Sequence, residues 1–157
     1  MAIIYNPNKK IFTLHTAHTT YQMQVDTLGY LLHLYYGEKT NSSMDYVLTY
    51  ADRGFSGNPY AAGMNRTYSL DALPQEYPSL GTGDYRNIAL NIKNEKGVES
   101  ADLLFKSYEI RSGKYQLQGL PAVWADENEA QTLEIVLADE NAQVEVHLLY
   151  GVLEETD

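Results

Sequence analysis

Alternation of apolar and polar residues in short runs, each closed by turn residues, is the feature that most limits what this chain can fold into. A period of two places successive side chains on opposite faces, which suits half-buried strands and no other regular element. Ile11-Phe-Thr-Leu-His15 is one such run, and Thr20–Val25 is another, with Tyr21, Met23 and Val25 on one face. Leu28–Tyr36 is dense enough in apolar residues for a strand buried on both faces, linked to its predecessor through Asp26-Thr27 and closed by a turn at Gly37–Asn41. Tyr46–Tyr50 alternates again. The pattern returns at Leu103–Arg111 and, after a Ser-Gly turn, at Gly113–Leu120. Thr132–Asp139 and Gln143–Tyr150 flank Glu140-Asn-Ala142, a hairpin signal. Helix is confined to short pieces such as Asp126–Ala130. Many short antiparallel strands predict an all-β antiparallel β-sandwich, and 157 residues suit a single domain over 1–157.

Between residues 51 and 87 the alternation fails. Glycines 54, 57, 63, 81 and 83 and prolines 59, 74 and 78 break the chain, so this is one long irregular insertion. Connections longer than roughly 12–15 residues are uncommon in compact domains and often functional. The insertion also carries Asp52, Arg53, Arg66, Asp71, Asp84 and Arg86 together with Phe55, Tyr60, Tyr68, Tyr77 and Tyr85. So many aromatics predict a segment ordered by its own contacts. Its opening, DRGFSGNP over residues 52–59, holds more side-chain chemistry than a turn requires. A carboxylate and a guanidinium can each bond vicinal sugar hydroxyls, and an aromatic ring can pack on the apolar face of a pyranose. The plainer alternative is a connecting turn with a local Asp52–Arg53 or Asp52–Arg66 pair and Phe55 tucked inward.

Charge excludes one class of partner. Residues 1–98 balance 8 acidic against 8 basic side chains, whereas residues 99–157 hold 13 acidic and 3 basic. Without clustered Lys and Arg no nucleic-acid partner is expected. No apolar run approaches the roughly 20 residues of a membrane helix, so no membrane partner is expected either. Cysteine is absent and MAIIYNPNKK lacks the apolar core of a secretory signal, which together predict a cytoplasmic protein. On that view Asn65-Arg-Thr67 and Asn41-Ser-Ser43 are not glycosylation sites. The 14 tyrosines suit strands and also surfaces that meet sugars or proteins. His15, His18, His33 and His147 have no spacing that places a third ligand, so neither a metal nor any other cofactor is expected. Asp126, Glu127 and Glu129 read as a solvated acidic loop. Trp124 reads as a core or inter-domain aromatic, with a sugar platform as the alternative. No nucleophile elbow, phosphate loop or dinucleotide fingerprint is present.

The stretch from Tyr46 to Asp84, YVLTYADRGFSGNPYAAGMNRTYSLDALPQEYPSLGTGD, resembles the amino-terminal region of bacterial family-36 glycoside hydrolases, the α-galactosidases. The upstream TYQMQVDTLGYLLHLYYG and the downstream GLPAVWADENEAQTLEIVLAD resemble the same region, so the likeness spans essentially the whole chain. The resemblance implies an N-terminal β-supersandwich, followed in the family by a (β/α)8 barrel and a C-terminal β domain. It implies removal of terminal α-galactose from melibiose- and raffinose-type sugars with retention, by two aspartates that both lie in the barrel. On that expectation no catalytic residue lies in this chain, which is a truncated part of a longer enzyme and inactive alone.

The family's N-terminal domain packs near a neighbouring subunit's active site. Carried over, that makes Asp52, Phe55 and Arg66 the candidate edge of a substrate pocket. The aspartate and arginine would bond galactose hydroxyls, and the phenylalanine would form an apolar wall. The expected partners are thus other copies of the chain and an α-galactoside, met only in the full-length oligomer. The alternatives are a free-standing carbohydrate-binding module and a purely structural oligomerisation domain.

Overall fold

The structure is a computed structural model that describes residues 2–54 and 57–156. Among the described residues seven strands form two antiparallel sheets. The first runs β1 (Ile3–Asn6), β2 (Ile11–His15), β3 (Thr19–Val25) and β4 (Leu31–Glu38) as a meander in sequence order. The second runs β5 (Leu104–Ser112), β6 (Ala130–Asp139) and β7 (Val144–Leu153) in the same manner. The all-β sandwich read from the alternation is therefore the observed architecture. Among the described residues no helix is long and apolar enough to cross a membrane.

Register explains which residues meet. Phe12 pairs with Met23 and Val25 with Leu31, so these side chains share the inner face of the first sheet. Leu133, Ile135, Leu137 and Val152 face them from the second sheet, and all belong to one buried cluster. β4 is apolar on its other side as well. Leu32 and the adjoining Tyr30 are covered there by Tyr68, Leu70 and Leu73 of the insertion, which make a second buried cluster. The dense apolar run at Leu28–Tyr36 thus reports a strand covered on two sides. Farther along the same outer face, Thr20 and Gln22 are buried and bonded to the backbone of residues 40–44.

Three sequence expectations differ from the structure. Tyr46–Tyr50 is not a strand: Asp45–Val47 makes a short 3-10 turn and the chain then runs extended without a ladder. Alternation reports two faces but supplies no partner edge, and the neighbouring segment is already tied across the sheet by side chains. Gly113–Leu120 is also irregular. Gly113 turns at φ 81°, and the buried Thr132 hydroxyl replaces the ladder by donating to Gly113 O at 2.7 Å and accepting from Tyr115 N at 3.0 Å. Asp126–Ala130 forms a turn rather than a helix. In addition, Ile3–Asn6 is a strand that no pattern marked, and β7 starts one residue late because Gln143 adopts φ 55° in the turn.

One carboxylate ties both sheets to the insertion. Glu76 accepts from the Tyr21 hydroxyl of β3 at 2.6 Å and the Tyr150 hydroxyl of β7 at 2.8 Å, and His33 Nδ1 of β4 lies 3.5 Å away. Burial first, and then the Glu76 carboxylate, pushes both phenols well above their ordinary pKa. A group whose pKa is raised by folding stabilises below its unfolded pKa and loses that contribution as pH climbs through the folded value. The tie is therefore complete below about pH 10 and weakens above it. Tyr21→Phe and Tyr150→Phe are each expected to lower stability by about 1–3 kcal/mol at neutral pH, since each leaves Glu76 short of a donor. Urea unfolding across a pH series checks this: the wild-type midpoint falls above about pH 10 more steeply than that of the variants.

Candidate site on the insertion

The insertion divides into an anchored base and an exposed tip. At the base, Asp84 is 2% exposed and accepts four hydrogen bonds around its carboxylate. Arg86 supplies its backbone N at 3.0 Å, Nε at 2.9 Å and Nη2 at 2.7 Å, and Gln75 Nε2 supplies another at 2.8 Å. The same Nη2 donates to Leu70 O at 2.8 Å and Leu73 O at 2.7 Å. One ion pair therefore gathers the backbone at residues 70, 73 and 86 and the Gln75 side chain into a single knot. Burial works to raise the Asp84 pKa, but Arg86 and Gln75 outweigh it and hold the carboxyl below its usual range.

A second buried carboxylate fixes the insertion to the sheet. Asp26 accepts Leu28 N and Tyr30 N at 2.9 Å each, and the buried Tyr68 hydroxyl donates to its other oxygen. Tyr50 stacks on Tyr68 with ring centroids 5.8 Å apart, which draws the chain entering the tip onto the same anchor.

The tip contains the residues that the sequence singled out. Asp52 Oδ1 accepts Gly54 N at 2.7 Å, an Asx-type turn that explains the Asp-x-Gly spacing. It also accepts Arg66 Nη2 at 3.3 Å across the loop. The two side chains are 52% and 66% exposed. Asp52 and Arg66 are thus brought together, and Arg66 rather than Arg53 is the partner. Phe55 lies outside the described residues. An ion pair this open contributes about 0–1 kcal/mol to stability, so folding alone does not account for it. Tyr60 and Met64 are exposed between the two members of the pair in sequence, Tyr85 is exposed one residue beyond Asp84, and Tyr46 and Val47 are exposed on the approach. Asn58 donates to Gly63 O and Asn65 O at 3.3 Å each, closing the loop on itself. Asn65 is occupied by Thr67, whose backbone N and hydroxyl donate to Oδ1 at 3.0 and 2.7 Å.

Trp124, read as a core or inter-domain aromatic, is 73% exposed and is not core within this chain. The acidic loop around Asp126 is solvated as expected. Among the described residues no group of three or more His, Asp or Glu side chains is gathered as a metal would need. The anchors Asp26, Glu76 and Asp84 are what sequence reasoning missed: each looks like any loop carboxylate until its burial is known.

The profile of the glycosyl hydrolase family 36 N-terminal domain matches residues 29–157. The chain belongs to this family. It is 96% identical, over 157 residues, to the bifunctional alpha-galactosidase/sucrose kinase AgaSK of Mediterraneibacter gnavus, of which it covers 17%. Two solved structures of Geobacillus stearothermophilus enzymes are similar. The GH36 alpha-galactosidase AgaB superimposes with a TM-score of 0.90 at 43% identity, over 99% of this chain and 21% of its own. The alpha-galactosidase AgaA in complex with raffinose gives 0.87 at 40% identity, over 93% of this chain and 20% of its own. The chain spans about a fifth of the length of these relatives. As a family-36 N-terminal domain it carries the long insertion between its two sheets, with the Asp52–Arg66 pair of that insertion exposed to solvent.

Asp84→Ala removes the carboxylate that gathers the base and leaves the Arg86 guanidinium without its charge partner. Arg86 is half-exposed, so the expected loss is about 2–3 kcal/mol, below the cost of breaking a fully buried pair. Because folding lowers the Asp84 pKa, its contribution is present above the unfolded value near pH 4 and is lost as pH falls below it. Thermal melts from pH 7 to pH 3 are expected to show a smaller acid destabilisation in Asp84→Ala than in wild type.

Proposed function

We propose that this domain is the non-catalytic N-terminal part of a retaining α-galactosidase acting on terminal α-galactosides of the melibiose and raffinose type. In that role it contributes contacts between subunits, and Asp52, Arg66 and Phe55 form an edge of a neighbouring subunit's active site. The observation that carries the reading is the Asp52–Arg66 pair, formed across an anchored insertion yet left open to solvent. A carboxylate and a guanidinium side by side offer both acceptors and donors to adjacent sugar hydroxyls. The exposed Tyr60, Met64 and Tyr85 support a subunit contact around that point, because aromatic residues and Met are enriched in interfaces. AgaA, a relative over nearly all of this chain, has been solved with raffinose. A cytoplasmic location belongs to the same reading and is supported by the absence of cysteine.

The test is kinetic and uses the full-length protein. Asp52→Asn combined with Arg66→Gln is expected to raise KM for raffinose about tenfold, the loss of roughly one charged hydrogen bond, with the melting temperature unchanged. Wild-type kinetics in that double variant would remove the tip from the substrate pocket. The isolated domain titrated with galactose or raffinose is expected to give no measurable heat, since one wall lacks the converging groups that hold a sugar. Saturable binding there would favour a free-standing carbohydrate-binding module.

A further inference from the structure

The tip is seated on the body of the domain at several points. Pro59 is buried and Ala62 packs against the second buried cluster, while the Asp52–Arg66 pair itself is solvated and Asn58 closes the loop locally. Among the described residues, two further contacts fall on Gly57. The Ser69 hydroxyl, from the buried stretch under the tip, lies 3.0 Å from Gly57 O and shares its one proton between that carbonyl and the Asp71 carboxylate at 2.6 Å. The backbone of Gly57 also rests directly on Gly83. A Cβ at Gly83 would lie 2.8 Å from Gly57 O and 3.0 Å from its carbonyl carbon, closer than a Cβ can approach backbone. The φ of Gly83 is 92°, a conformation that side-chain-bearing residues rarely adopt. In return, a Cβ at Gly57 would meet Gly83 Cα at 3.4 Å.

The turn that presents Gly83 is unable to yield. Its next residue is Asp84, immobilised by Arg86 and Gln75. On its other side Gly81 is pressed against Ser100, where a Cβ would fall 2.4 Å from the Ser100 Cβ. A chain of rigid contacts therefore runs from the buried Asp84 carboxylate through Gly83 to Gly57, and so to the loop that carries Asp52 and Arg66. We infer that Gly83, braced by the Asp84–Arg86 pair, is a positioning residue that sets where the Asp52–Arg66 tip stands in the substrate pocket. The inference rests on the role proposed for that tip. Displacement of a binding group by about 1 Å is enough to lengthen or misalign its hydrogen bonds to a sugar, so a backbone seat of this kind has consequences for substrate binding at a distance.

The experiment measures raffinose hydrolysis by the full-length protein carrying Gly83→Ala alone, Asp52→Asn/Arg66→Gln alone, and the two sets combined. Gly83→Ala is expected to raise KM about fivefold with kcat within about twofold of wild type. In the combined variant it is expected to add nothing, because the groups it positions are already gone. A merely structural glycine would act equally in both backgrounds, and that additive result overturns the inference. So does an unchanged KM in Gly83→Ala while the Asp52/Arg66 variant shows its loss. Should the Asp52/Arg66 variant itself behave as wild type, it is the role of the tip that fails, and the positioning role falls with it. If Gly83→Ala does not fold, Ser69→Ala, which loosens the same Gly57 seat, decides by the same comparison.

Discussion

Both faces of β4 are apolar, and the rest of the domain follows from the need to cover them. One face turns Leu31 toward the second sheet, where Leu133, Ile135 and Leu137 complete a core. The other turns Leu32 outward, and with Tyr30 it would meet water unless another segment lay across it. Burying a side chain of that size is worth about 1.5–3 kcal/mol, so the outer face draws down Tyr68, Leu70 and Leu73 of the insertion. A stretch with neither helix period nor alternation thus becomes the third layer of the molecule.

Covering the sheet with irregular chain creates a second demand, because backbone without a ladder still needs hydrogen-bond partners. Buried carboxylates meet much of it. Asp26 collects two backbone N–H groups and Tyr68, and Glu76 collects Tyr21 and Tyr150. Asp84 fixes Arg86, whose guanidinium then reaches Leu70 O and Leu73 O. These are high-stakes arrangements: fully satisfied they make a loop rigid, and a single missing partner is costly. A rigid base is also what allows a solvent-exposed tip to keep one geometry.

The strands that pack on the core were legible because a buried face imposes period two on the residues themselves. β2, β3 and β6 fall within two residues of where alternation placed them, and β7 runs three residues farther, to Leu153. Tyr46–Tyr50 and Gly113–Leu120 alternate as well but join no ladder, since strand formation needs a free edge alongside and nothing local announces one. The pairing of Asp52 with Arg66 was one of two options in the sequence. It was settled by the loop closing through Asn58, Gly63 and Asn65.

By itself the sequence determined the sandwich class and the family to which the chain belongs, whereas the irregular stretch it bounded at 51 and 87 runs from the end of β4 at Glu38 to the start of β5 at Leu104. Class and family depend on local periodicity and on long runs of residue identity, which survive without coordinates. Tertiary structure alone decided which charges are anchors and which remain available. Asp84 and Asp52 are the same side chain in similarly glycine-rich turns, yet one is enclosed by Arg86, Gln75 and the covering layer while the other stands in water. Burial is a property of how distant segments stack, and it turns one aspartate into a brace and leaves the other exposed to solvent.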